Sequence, residues 1–193
     1  MSFEQEFAVV DIIKLSEAET RGVDAFTLSI VKMERQVRRL FTYLVFQCEA
    51  FNEHSVPDLI ATLERCRNAY FTGFISGIDA LAGFSVSDLV GDEYARLRVA
   101  LKAAYDVRNK VFHGQLTGLS LDREELLAMV TTVKRWCELL ANGAQRESGY
   151  DGFGGNSFRK SCMGLAANYK HQLTNVDDYS QFIDRHVAGR MRW

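Results

Sequence analysis

A single proline, Pro57, stands among 193 residues. Proline fixes φ and removes a backbone donor, so its near absence favours long uninterrupted helices and argues against a loop-rich secreted fold. Apolar residues recur at steps of three or four through most of the chain. Phe26, Ile30, Met33, Val37, Leu40, Leu44 and Cys48 form one stripe, which predicts a first long helix over about 24–51. Ser55 and Pro57 open a second, because a proline in a first turn gives up a donor that would be unsatisfied anyway. Its stripe, Leu59, Leu63, Cys66, Tyr70, Phe74, Gly77 and Leu81, carries it to about Gly83. A third helix is expected over 92–112, along Leu97, Leu101, Ala104 and then Arg108, with Gly114 as a left-handed cap. Asp122 and Glu125 start a fourth, a carboxylate at the cap and another three positions on, followed by Leu126, Val130, Val133, Cys137, Leu140 and Ala144.

Four amphipathic helices with short connections predict an all-α fold, a four-helix up-down-up-down bundle over residues 1–147. Residues 148–193 are expected to add a glycine-rich loop, 149–156, and a short helical extension from about Asn175 to Val187, packed on the same domain. The loop glycines do not follow a strand, so they are no dinucleotide fingerprint. Lys32, Arg35 and Arg39 share a face of the first helix and read as a solvated charge run.

Composition narrows function. With 25 acidic and 23 basic residues the net charge is −2, which gives no support to sequence-independent coating of nucleic acid but leaves room for a local basic site. Cys48, Cys66, Cys137 and Cys162 form no CxxC pair and read as buried reduced thiols of a cytoplasmic protein. The four histidines are scattered, so no metal site and no cofactor is expected. The N-terminus is acidic and lacks a signal-peptide pattern. The apolar run 68–86 contains Asp79, costly at a bilayer centre. It reads as a buried helix whose Gly73 and Gly77 allow close packing, and no membrane partner is expected.

The chemistry-bearing stretch is Arg108-Asn109-Lys110-Val111-Phe112-His113-Gly114. Arginine can hold a phosphate and histidine can move a proton near neutral pH. Arg108 continues the apolar stripe, so its guanidinium needs an acceptor, either a neighbouring carboxylate or a phosphate entering a cleft. Five residues turn through roughly 140°, so Arg108 and His113 do not stack, whereas Asn109 and His113, four apart, face each other. Phosphate holding and proton transfer make Arg108 and His113 the candidate catalytic residues, with Asn109 and Lys110 as supporting ones. Arg159 and Lys160, after the loop, read either as a solvated linker or as candidate RNA-binding cations that could fold over a phosphate.

Arginine, a polar residue, three more positions and then histidine, near the end of the third of four helices, resembles the HEPN superfamily (higher eukaryotes and prokaryotes nucleotide-binding domains). The resemblance spans roughly residues 24–147. It implies a metal-independent endoribonuclease of a prokaryotic toxin–antitoxin, abortive-infection or other defence system. The implied substrate is a cellular RNA such as tRNA or mRNA, and two motifs of a homodimer would form one composite site, with a cognate antitoxin as a further partner. It equally implies an alternative, since some family members are inactive modules that bind nucleotides or proteins. In the branch paired with a minimal nucleotidyltransferase antitoxin, a tyrosine stands two positions after the histidine. Here that position is Gln115, so control by modification at this site is not expected.

Overall fold

The computed structural model describes residues 2–112 and 122–189, and these are all-helical, with an isolated bridge between Ala69 and Ala188 in place of any strand. The α-helices are α1 (Phe3–Leu15), α2 (Arg21–Phe46), α3 (Val56–Arg65), α4 (Phe71–Leu81), α5 (Val86–Val90), α6 (Tyr94–Phe112), α7 (Arg123–Ser148) and α8 (Val176–His186). No single helix among the described residues is long and apolar enough to cross a membrane.

Local chemistry sets the ends of these helices. Asp122 Oδ1 accepts from the Glu125 amide at 2.9 Å while Glu125 Oε2 accepts from the Asp122 amide at 3.0 Å, the reciprocal cap expected of α7. Gly149, at φ 77°, closes that helix in the left-handed conformation. The helix α1 was not expected. It is started by the same device, Ser2 with Gln5, and buries Phe7 and Val10.

The core is built on α2 and α7, which run in the same direction. Gly22 lies against Arg123 at their N-terminal ends, Gln36 Nε2 donates to the Cys137 carbonyl midway, and the Tyr43 hydroxyl donates to the Ser148 carbonyl at the far end. In an up-down-up-down bundle the first and fourth helices are antiparallel. The expected four-helix order therefore does not describe the packing.

The cause lies in the second expected helix, which is broken. The chain leaves α3 at Cys66, and residues 67–70 turn before α4 begins. There the Asn68 carbonyl accepts from the Gly189 amide at 3.0 Å, and Ala69 pairs with Ala188. The two glycines serve this contact. A Cβ on Gly73 would meet the Val187 carbonyl oxygen at 2.1 Å, and one on Gly77 would meet Phe41 at 2.8 Å. Asp79, the charge inside the apolar run, is half-buried, and its Oδ1 accepts from the Val86 amide at 2.6 Å, tying α4 to α5.

The charged face of α2 is not simply solvated. Lys32 is buried and donates to Glu6 of α1 at 2.9 Å, with Arg35 on the same carboxylate oxygen at 3.1 Å. Arg39 donates to the Phe153 carbonyl at 2.7 Å and also to that of Gly155, pinning the glycine-rich loop on α2. Asp151 turns the loop by accepting from the amides of Phe153 and Gly154, both at 2.8 Å. Of the four cysteines Cys48 and Cys137 are buried, Cys66 is intermediate, and Cys162 is exposed, unlike the buried thiol expected there.

Candidate functional site

Helix α6 points its stripe Leu97, Leu101 and Ala104 into the core, and one turn further the stripe reaches Arg108. The register that buries leucines thus delivers a guanidinium against α2. It meets Glu34 there, Arg108 Nη2 to Glu34 Oε1 at 3.5 Å, with both side chains about one-third exposed (31% and 32%). Arg108 Nη1 donates to Asn109 Oδ1 at 3.0 Å, and the guanidinium lies 5.9 Å from the centre of the Tyr105 ring. The Tyr105 hydroxyl donates to the same Glu34 oxygen at 2.8 Å. Burial, with the Glu34 charge beside it, holds the Tyr105 phenol well above its ordinary range, so it stays a neutral donor.

These groups wall a cleft of about 570 Å³ between α2, the start of α4 and the end of α6. Arg35 and Arg38 add positive charge from α2, and Tyr70, Phe71 and Phe74 add aromatic surface from α4 and the turn before it. Arg38 has no carboxylate partner among the described residues. Cations set among ring faces suit a phosphate backbone with stacked bases. Lys110 does not line the cleft, and Asp106, which does, is paired with Lys102 at 3.2 Å. His113 lies outside the described residues.

Arg159 and Lys160 are not brought to this cleft. Lys160 Nζ donates to the carbonyls of Phe46 and Cys48, at 2.6 and 2.8 Å, and so satisfies the C-terminal end of α2. Burial lowers its pKa. Arg159 sits 5.5 Å from the Tyr150 ring centre, and its Nη2 is 3.4 Å from the Gly149 carbonyl. From Glu34 to Phe46 is about 18 Å along an α-helix, and that separates these two cations from Arg108.

Sequence reading passed over Glu34, Arg38, Tyr70 and Tyr105. A signal existed for two of them, since Glu34 and Arg38 are four apart on α2 and share a face. Tyr70 was assigned to the core stripe of a helix that does not form there. The cleft therefore contains Arg108 and Asn109 of the motif, and comparison with protein-family models, with curated proteins and with solved structures finds no match for this chain.

Proposed function

We propose that the protein is a metal-independent endoribonuclease of the HEPN type, acting as a homodimer on a cellular RNA such as tRNA or mRNA, in prokaryotic defence or stress with a cognate antitoxin. One observation carries this reading: the motif arginine stands at an open cleft with Arg35, Arg38 and several ring faces rather than sealed in the core. In the reaction a general base takes the proton of the RNA 2′-hydroxyl. That oxygen attacks the adjacent phosphorus, the bond to the 5′-oxygen breaks, and an acid protonates the leaving oxygen. Arg108 would donate to the non-bridging oxygens as charge builds on them. One His113 per chain would serve as base or acid, and a second copy across a two-fold axis would supply the other. Asn109, which accepts from Arg108, would keep the guanidinium turned toward the phosphate.

The test is incubation of total RNA with the wild type, Arg108→Ala and His113→Ala, in EDTA, with the product ends analysed. The expected result is cleavage by the wild type alone, leaving 2′,3′-cyclic phosphates. Equal behaviour of all three proteins would overturn the assignment. The ion pair between Arg108 and Glu34 favours a second reading, a regulatory module of the same fold that binds a nucleotide or a protein without cleaving it. Calorimetry with nucleotides and RNA separates the two, because turnover that depends on His113 is incompatible with a binding module alone.

A further inference from the structure

Across α4 from the cleft lies a second cavity of about 650 Å³, within the range of small-molecule sites. Its deepest side chains are aromatic. Phe71 and Trp136 are buried with ring centres 6.1 Å apart, and the Tyr94 ring lies 5.6 Å from that of Trp136. The Trp136 indole N–H is buried and has no acceptor among the described residues. Asp79 lines the same cavity. Its Oδ1 is used by the Val86 amide, while Oδ2 accepts no hydrogen bond from the described residues. Burial holds this carboxyl above its ordinary range, a cost that a bound cation relieves. At the exposed rim stand Arg98, which donates to the Tyr94 hydroxyl at 3.2 Å, and Asp184 with Arg185.

We propose that this cavity binds a small aromatic zwitterion, a free aromatic amino acid or an amine–carboxylate of similar size. The ring lies among Phe71, Tyr94 and Trp136, the ammonium reaches Asp79, and the carboxylate faces Arg98 at the rim. The site is separate from the RNA-cleaving assignment, although Phe71 and Thr72 line both cavities.

The test is calorimetry on the full chain with L-phenylalanine and L-tryptophan as probes. N-acetyl-L-phenylalanine, which lacks the ammonium, and phenethylamine, which lacks the carboxylate, are the controls. The expected result is saturable binding of one amino acid per chain, weakened about tenfold or more when either charge is missing. Asp79→Asn should weaken the amino acids about tenfold and leave N-acetyl-L-phenylalanine unchanged, and Arg98→Gln should do the same with phenethylamine unchanged. Because the probe series uses the unmodified protein, the outcome does not depend on a variant that folds. The proposal is overturned by no saturation up to about 10 mM probe. Equal affinity for the amino acids and their single-charge analogues overturns it too.

Discussion

Replacing Gly73 by alanine should cost the fold about 2 kcal/mol, through one contact. The added Cβ would stand 2.1 Å from the carbonyl oxygen of Val187 and 3.1 Å from its carbonyl carbon. These are backbone atoms held from both sides. The Val187 amide donates to Ile183 at 2.9 Å, that of Ala188 to Ile183 at 2.8 Å, and that of Gly189 to Asn68 at 3.0 Å. Relief therefore requires the end of α8 to move by about an ångström. Overpacking costs about 1–3 kcal/mol, and a rigid backbone partner puts this site at the upper end. Alanine returns up to about 1 kcal/mol of helix propensity. Gly22 is the internal control, because a Cβ there meets the flexible side chain of Arg123 at 3.2 Å, which can move aside. Gly22→Ala should be neutral or slightly stabilising, so the two variants should melt at least roughly 4–8 °C apart in a chain of this size. Hydrogen exchange should show the Gly189 amide losing protection in Gly73→Ala alone. Equal melting temperatures in the two variants would refute the steric argument.

Three further outcomes are expected. Glu6→Ala strands the ammonium of Lys32, whose side chain is 11% exposed, and should lower unfolding free energy in urea by about 3 kcal/mol. Asp79 has a pKa raised by burial, so the folded chain holds a proton that the unfolded chain has already released, and stability falls as pH rises through that interval. Asparagine cannot titrate but can still accept from Val86. The stability of Asp79→Asn relative to wild type should therefore improve between about pH 4 and pH 7, as measured by denaturant titration at each pH. If the cleft takes RNA, Arg38→Gln should weaken binding similarly across sequences and reduce the log–log salt slope by about 0.7 for single strands, measured by fluorescence anisotropy.

Where a helix end is written in adjacent residues, the sequence was legible. The fourth expected helix, opened by Asp122 with Glu125 and followed as far as Ala144, is found at 123–148, because both carboxylates lie within reach of the backbone they cap. The last helix, started by Asn175 on the Asp178 amide, was legible for the same reason. Helix α1 escaped because its outward side carries Val9, Ile12 and Leu15, all exposed, which blurs a stripe that rests on few buried residues. The break after α3 was invisible for a different reason. The apolar spacing continues through Cys66 and Tyr70, and what interrupts it is hydrogen bonding to residues near 188, more than a hundred positions away. The cations of α2 follow the same rule, since their partners, Glu6 and the loop at 153–155, lie on other elements.

Arg108 shows how far such reasoning reaches into the candidate site. Its place on the apolar stripe required an acceptor without saying whether that would be a carboxylate or a phosphate, and α2 supplies the carboxylate of Glu34. The two uses need not compete. At 3.5 Å and one-third exposed, the pair is screened and worth at most about 1 kcal/mol. Glu34 is more firmly engaged by the Tyr105 hydroxyl at 2.8 Å. Glu34→Gln keeps an oxygen for Tyr105 and removes only the charge that orients Arg108. Unfolding free energy should change by no more than about 1 kcal/mol. If the cleft cleaves RNA as proposed, cleavage should slow by about tenfold, about 1.4 kcal/mol of transition-state stabilisation. Urea titration and single-turnover cleavage of the same preparation read the two numbers side by side. A large stability loss would make the pair structural. An unchanged rate in Glu34→Gln, with Arg108→Ala inactive, would show that the guanidinium finds its position without the carboxylate.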